Sequence, residues 1–136
     1  MELASSYILD TSAYSAFFKG DRRLRPWFTH THKIFLPLVV IGELRAGFAN
    51  GNRTSENETL LGRFLDTANV DTLPLSLSTT KFFADTFLQV KKSGKALGTN
   101  DLWIAALAKE HSLPILTLDA DFQRIKGVEL LAIPQT

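Results

Sequence analysis

Four acidic residues lie where mostly apolar segments of the chain end or turn, and their side chains are the ones best suited to chemistry. They are Asp10, Glu43, Asp101 and Asp119. A carboxylate is costly to desolvate, and holding several of them against apolar walls is costlier still. The four positions therefore predict one shared site in which a cation cancels their repulsion. Their oxygen ligands suit a hard cation such as Mg²⁺.

Each acidic residue also has an explanation that needs no such site. Asp101 could complement the dipole of a helix in its first turn. Asp10 could form a turn after a strand, and Asp119 or Asp121 could cap a short helix. Glu43 is harder to explain in this way because its neighbours are apolar. Since every one of these explanations would have to hold independently, a shared site is the favoured interpretation.

The composition is that of an ordinary globular domain. The chain has 136 residues, of which 45% are hydrophobic and 21% charged, and ten are Phe. This predicts one domain, residues 1–136, with a substantial core. There is no cysteine, which excludes disulfides and cysteine-ligated zinc and is typical of a cytoplasmic protein. No long apolar segment or signal peptide is recognised, so we expect no association with a membrane.

Two basic clusters stand out against a formal net charge of only +1. The first is formed by Arg22, Arg23 and Arg25, and the second by Lys91, Lys92 and Lys95. Each cluster could simply be a solvated helix end. Alternatively, both could contact phosphate groups at the rim of an acidic site that would otherwise repel them.

The hydrophobic pattern predicts short strands that alternate with helices. Strands are expected over residues 7–9, 35–36, 70–75, 115–118 and 128–133. Helices are expected over 12–18, 38–50, 54–65, from Ser78 or Thr79 to Val90, and over 101–111 with Asn100 as the cap. This alternation predicts an α/β domain with a parallel sheet. In such sheets ligands gather at the carboxyl ends of the strands, where Asp10 and Asp119 fall.

Other chemistries find less support in the sequence. His30 and His32 have no acidic partner at helical spacing and are expected to be solvent-exposed. Ser12 has no obvious His partner for a serine hydrolase, and no glycine-rich phosphate loop is present. Trp27 and Trp103 are expected to be core or interface residues rather than platforms for bases.

Four motifs contain the acidic residues: DTSA at 10–13, IGELRAG at 41–47, GTNDLWIAA at 98–106 and LTLDADF at 116–122. In this order they resemble the PIN domain, and most closely the VapC-type toxins of bacterial toxin–antitoxin pairs. The resemblance extends over residues 7–134. It implies a metal-dependent endoribonuclease with a parallel sheet of about five strands, flanked by helices.

The resemblance also implies roles for individual residues. Asp10, Glu43, Asp101 and Asp119 match the acidic quartet, although Asp121 is a possible fourth ligand in place of Asp119. Ser12 and Thr117 match supporting polar positions of the family. We expect Asn100 to be a third supporting polar residue. The family further implies a cognate antitoxin whose tail enters the acidic groove, a homodimer, and a structured RNA substrate such as tRNA. The two basic clusters are then expected to contact the phosphates of that RNA.

The physical account of cleavage stands beside this resemblance. Hydrolysis of a phosphodiester needs charge neutralisation at the phosphate and a hydroxide-like nucleophile, which Mg²⁺ or Mn²⁺ supplies. Asp10 and Asp101 are the expected main ligands of the metal. Glu43 and Asp119 are expected to hold its water or a second ion.

Three alternatives remain open at this stage. A phosphatase of the haloacid dehalogenase type needs a second Asp two residues after the first, where this chain has Ser12. A receiver domain needs an acceptor Asp at the end of the third strand, where this chain has Leu75 and Ser76. The third alternative is a catalytically degenerate PIN-like module that only binds RNA or protein.

Overall fold

The computed structural model describes residues 5–94 and 96–134, and over these ranges the chain alternates strands and helices. The strands are β1 (Ser6–Leu9), β2 (Lys33–Pro37), β3 (Val70–Leu73) and β4 (Ile115–Leu116). The α-helices are α1 (Thr11–Phe18), α2 (Leu38–Ala49), α3 (Thr54–Leu65), α4 (Leu77–Lys92) and α5 (Thr99–His111). Two 3₁₀ helices cover Arg22–Phe28 and Ala120–Arg124.

The sheet is parallel, with the strand order β3-β2-β1-β4. Successive strands run outward from β1 to β3, and the chain then crosses back to place β4 on the other side of β1. The strand order therefore reverses between β1 and β4. This is the point at which the carboxyl ends of an open α/β sheet form a crevice for a ligand.

The predicted α/β fold is confirmed, with a smaller fifth strand than expected. Instead of a strand over 128–133, a single parallel bridge joins Leu130 to Ile115. The amide of Ile115 donates to the carbonyl of Glu129 at 2.9 Å, and the amide of Leu131 donates to the carbonyl of Ile115 at 3.0 Å. Because β4 is only two residues long, it offers no further backbone partners to extend this ladder.

The core lies around β1 and the middle of α5. Tyr7, Ile8 and Leu9 of β1 are completely buried, as are Ile104 and Leu107 of α5. α4 packs along α5, and α2 contacts α1, α3 and α5. Apolar side chains on adjacent strands and helices thus hold the carboxyl end of β1 and the amino end of α5 in one rigid body.

Three helices begin earlier than the sequence indicated, and one of them is α1, which begins at Thr11 instead of Ser12. α4 is capped by Ser76 rather than by Ser78 or Thr79, because Ser76 Oγ accepts from the Thr79 amide at 3.4 Å and the Ser76 amide donates to Thr79 Oγ1 at 2.9 Å. Thr79 is completely buried and also donates to Glu110 at 2.5 Å, which ties the start of α4 to the end of α5. α5 begins at Thr99 with Gly98 as its cap, so Asn100 lies within the first turn.

The expectation that both early histidines are exposed is wrong for one of them. His30 is exposed, but His32 is only 4% exposed. Its ring lies against those of Trp27 and Tyr7, with centroids 5.4 Å and 6.1 Å away. The 3₁₀ helix that carries Trp27 folds back over β1 and covers His32.

Within the described residues, no helix has the length and apolarity needed to cross a membrane.

Candidate active site

Asp10 follows β1 at the point where the strand order reverses, and its carboxylate is held by two hydroxyl groups. The residue is 4% exposed. Its Oδ2 accepts hydrogen bonds from Ser12 Oγ at 2.9 Å and from Thr117 Oγ1 at 2.6 Å. Thr117 follows β4, so these contacts join the carboxyl ends of two neighbouring strands.

The orientation of both hydroxyls is set by the turn after β4. The Leu118 amide donates to Ser12 Oγ at 2.9 Å, and the Asp119 amide donates to Thr117 Oγ1 at 3.0 Å. A hydroxyl has one proton and two lone pairs. A backbone amide donates to each hydroxyl, so the proton of each hydroxyl is available to Asp10, while Ser12 Oγ and Thr117 Oγ1 also lie 3.1 Å from each other. Asp10 Oδ1 has no hydrogen-bond partner among residues 5–94 and 96–134, which leaves it available to a ligand.

The same hydrogen bonds explain why β4 is shorter than predicted. Residues 117 and 118 were expected to continue the strand, but the amides of Leu118 and Asp119 point to side-chain hydroxyls rather than to a neighbouring strand. The strand therefore ends at Leu116. Because the strand ends there, the backbone after Leu116 turns towards Asp10.

Asp101 lies in the first turn of α5, facing the other acidic residues. Its pKa is raised from 3.8 to about 6, firstly by burial and then by the charges of Asp10, Asp119, Glu43 and Asp121, in that order. The order shows that Asp119 acts on Asp101 more strongly than Asp121 does. The fold thus brings together acidic residues that are far apart in the sequence.

Glu43 projects from the middle of α2 and is half-buried. Its Oε1 accepts a hydrogen bond from Thr11 Oγ1 at 3.0 Å. Thr11 is the first residue of α1, directly after Asp10, so the start of α1 orients a second carboxylate of the group. Sequence reasoning did not single out Thr11 as a functional residue, although its position between Asp10 and Ser12 was the available signal.

Asp119 and Asp121 have different surroundings. Asp119 Oδ1 accepts from the Asp121 amide at 2.9 Å and so caps the second 3₁₀ helix. The capping role considered for Asp119 is therefore real, and it leaves Oδ2 without a hydrogen bond among the described residues. Asp121 is half-exposed and pairs with Arg124 at 3.6 Å. These contacts favour Asp119 over Asp121 as the fourth member of the group.

Among the described residues, the acidic group has no basic partner. Over residues 5–94 and 96–134, no Lys, Arg or His forms an ion pair with Asp10, Glu43, Asp101 or Asp119. Within the same ranges, no three acidic or imidazole side chains already converge to coordinate one ion. The donors are all carboxylate oxygens, and Asp10 Oδ1 accepts no hydrogen bond from the part of the chain that the structure describes. This donor chemistry fits a hard divalent cation such as Mg²⁺ or Mn²⁺.

The basic residues predicted to contact RNA differ in how available they are. Arg22, Arg25, Lys91 and Lys92 are exposed, while Lys95 lies outside the described residues. Arg23 instead forms an ion pair with Asp21 at 2.6 Å, and its hydrogen bonds hold the pKa of Asp21 below the usual value. Asn100 is exposed in the first turn of α5.

Comparison with known proteins gives a consistent picture. Residues 7–128 match the PIN domain family. Ribonuclease VapC5 of Mycobacterium tuberculosis is 30% identical over 129 residues, which cover 93% of this chain and 92% of that protein. The VapC ribonuclease Y4jK of Sinorhizobium fredii is 30% identical over 132 residues, with 91% and 94% covered.

This chain is also similar to a solved structure. It is VapBC-5 from Mycobacterium tuberculosis, described as a member of the VapBC family of toxin-antitoxin systems. The similarity has a TM-score of 0.70 at 27% identity, with 93% of this chain and 94% of that chain covered.

The electrostatics of the acidic group predict an unusual effect of Asp101→Asn on stability. In EDTA at pH 7.5 the variant should melt at a higher temperature than the native protein, because a buried and repelled charge is removed. The pKa of Asp101 is raised from 3.8 to about 6 on folding. Its ionisation therefore lowers the free energy of unfolding progressively between these two pH values, with no cost at lower pH and the full cost at higher pH. The difference between the two melting temperatures should therefore shrink as the pH falls through this window.

The response to metal supplies the control for this comparison. A ligand that binds only the folded state stabilises it by about 2.7 kcal/mol at a hundredfold excess over Kd. Millimolar Mn²⁺ should raise the melting temperature of the native protein and have little effect on Asp101→Asn. If Asp101 only caps its helix, the substitution will not raise the melting temperature in EDTA and will leave the response to Mn²⁺ intact.

Proposed function

The chain belongs to the PIN domain family, and from this membership we propose that it is a divalent-metal-dependent endoribonuclease and the toxin of a toxin–antitoxin pair. The observation that carries the proposal is the set of repelling carboxylates around Asp10, at the point where the strand order reverses. Their charge has no counterpart among the described residues. A group of this kind is suited to hydrolysing a phosphodiester bond once a cation is supplied.

Asp10 and Asp101 would hold the metal, with Glu43 and Asp119 completing the acidic set. When bound, Mg²⁺ or Mn²⁺ neutralises charge on the phosphate and lowers the pKa of water, which makes a nucleophile available at neutral pH. Asp10 would offer Oδ1, since Ser12 and Thr117 occupy Oδ2.

The remaining residues of the site act by positioning. Ser12 and Thr117 prevent rotation of the Asp10 carboxylate, and Thr11 does the same for Glu43. Removing a hydrogen bond of this kind from a metal ligand typically lowers metal affinity or activity about 10–100-fold. The exposed Lys91 and Lys92 and the arginines of the first 3₁₀ helix would bring RNA to an otherwise repellent surface.

An antitoxin segment has a continuous path to the acidic group. An aromatic groove of about 270 Å³ is lined by Phe17, Phe18, Leu60 and Phe64 among others. A second pocket, of about 330 Å³, shares Phe18 and Leu60 with this groove and extends to Thr11 and Glu43. A peptide whose apolar side chains fill the groove could therefore place a cationic side chain beside Glu43.

We further propose a homodimer, and a cytoplasmic location, where RNA substrates such as tRNA are found. α4 exposes Phe87 and Leu88, which are 46% and 52% accessible, so this helix is one candidate for the contact between copies. Large exposed apolar side chains on one helix are typical of interaction surfaces. A monomer at micromolar concentration in light scattering would rule out the dimer without affecting the nuclease.

The purified protein is expected to cut structured RNA with Mg²⁺ or Mn²⁺ and to stop in EDTA. Asp10→Asn and Asp101→Asn should reduce cleavage to background, because each removes a ligand of the metal. Asp66→Asn is the matched control, since Asp66 is an exposed carboxylate at the end of α3. Cleavage is followed on gels, and circular dichroism checks that each variant is folded.

Two further substitutions sharpen this experiment. Asp119→Asn should lower activity more than Asp121→Asn, because Asp121 is paired with Arg124. Thr117→Val should lower activity or Mn²⁺ affinity about 10–100-fold while leaving all four carboxylates in place. Cleavage that persists in EDTA and in both Asp10→Asn and Asp101→Asn would contradict the metal mechanism. A protein that binds RNA but never cuts it would be the degenerate module.

The lysine cluster is expected to determine how RNA binding depends on salt. Replacing Lys91, Lys92 and Lys95 with Gln should weaken binding and flatten the plot of log affinity against log salt. For single-stranded RNA the slope should fall by about 0.7 for each phosphate that the protein no longer neutralises. Affinity is measured by fluorescence anisotropy over a salt series. An unchanged slope would assign these lysines to a solvated helix end.

Antitoxin and RNA are expected to compete, because both would reach the acidic group. A candidate antitoxin encoded beside the gene should bind the chain and block RNA cleavage. Phe64→Ala should weaken the antitoxin through the loss of the aromatic groove while sparing cleavage by the free protein. Simultaneous binding of antitoxin and RNA, seen by gel filtration, would disprove a shared site.

A further inference from the structure

A pocket beside the acidic group combines three kinds of surface that a nucleotide requires. It has a volume of about 380 Å³ and lies between the first 3₁₀ helix, the turn after β4 and the segment 130–134. Thr117 and Asp119 are among its lining residues, so it adjoins the candidate active site. The volume is within the range of small-molecule sites.

Arg23 is the basic side chain among the described residues that line this pocket. Its Nε and Nη2 donate to Asp21, and Nη1 donates weakly to the carbonyl of Pro134 at 3.4 Å. A guanidinium has five N–H groups. Three are engaged in these hydrogen bonds, so two remain for an anion. The ion pair with Asp21 thus orients Arg23 without exhausting its donors.

The rest of the lining suits a sugar and a base. Leu118 is 37% exposed although it adjoins the buried Thr117, and it forms an apolar wall together with Leu130 and Ile133. Gln123 is exposed on the second 3₁₀ helix and carries an amide that both donates and accepts hydrogen bonds. An apolar wall and one amide are the usual means of holding a base and reading its edge.

We propose that this pocket binds the nucleotide adjoining the scissile phosphate, with Arg23 contacting its phosphate and Gln123 its base. The assignment rests on the proposed ribonuclease function and adds a place where the sequence of the RNA is read. It also separates Arg23 from Arg22 and Arg25, which do not line the pocket. The acidic group repels RNA, and Arg23, which lines the same pocket as Asp119, supplies a positive charge to a nucleotide bound there.

The test compares Arg23→Gln with Arg53→Gln, which makes the same change of charge at an exposed arginine before α3. The probe is a short, fluorescein-labelled, mixed-sequence single-stranded RNA, titrated in EDTA. Arg23→Gln should weaken binding about tenfold or more, as expected when a charge-assisted hydrogen bond is removed. Arg53→Gln should change it less than about twofold. On a cleavable RNA, Arg23→Gln should raise KM more than it lowers kcat.

Asp21→Asn separates this role from a purely structural one. Both substitutions break the same ion pair, so a structural role predicts equal losses of RNA binding from Asp21→Asn and Arg23→Gln. The subsite predicts that Asp21→Asn binds RNA at least as well as the native protein, because the guanidinium is retained and a nearby negative charge is removed. Melting temperatures of the two variants report the structural cost separately.

Cross-linking locates the nucleotide directly. RNA that contains 4-thiouridine should cross-link to the tryptic peptide 110–124, which includes Leu118 and Gln123, and Gln123→Ala should alter the preference among bases. Cleavage by the native protein with equal binding by Arg23→Gln and Arg53→Gln would overturn the subsite and leave the nuclease intact. Native protein that neither binds nor cuts RNA would overturn both.

Discussion

The buried carboxylate of Asp10 is the constraint on which the rest of the site depends. Asp10 follows β1, which lies between β2 and β4, and a charge at this buried position is costly to desolvate. The structure meets that cost with the hydroxyls of Ser12 and Thr117 rather than with a cation. A basic partner would have neutralised the charge permanently. Two neutral donors stabilise the carboxylate and still leave its negative charge to act on Asp101.

Much of this arrangement could be predicted from the sequence because it follows from topology. Apolar segments that end in Asp10 and Asp119 identify neighbouring parallel strands, and carboxyl ends of such strands share one edge of the sheet. The α/β fold was predicted from the alternation of strands and helices, and the family from the four motifs that contain the acidic residues. The roles of Asp10, Glu43, Asp101 and Asp119 in catalysis stay predictions, since the structure supplies their proximity but no activity.

The features that escaped prediction depend on contacts between distant segments. The burial of His32 requires the 3₁₀ helix of Trp27 to fold over β1, which no local pattern indicates. The early end of β4 comes from amides that turn to Ser12 and Thr117, and Ser12 is over a hundred residues away. Arg23 was grouped with Arg22 and Arg25 by spacing alone. Its pairing with Asp21 and its place in the pocket that Asp119 also lines appear only in three dimensions.

The unbalanced charge of the acidic group explains how activity and inhibition could use the same feature. Burial, and then repulsion by the neighbouring carboxylates, raises the pKa of Asp101, so the group gains stability from any cation that reaches it. A metal ion meets that need and leaves room for a phosphate. A cationic side chain of a bound peptide would meet it as well, and would exclude both the metal and the phosphate. In a proposed toxin, the charge that makes the site reactive is therefore also what makes it easy to block, and the aromatic groove beside Glu43 would determine which peptide does so.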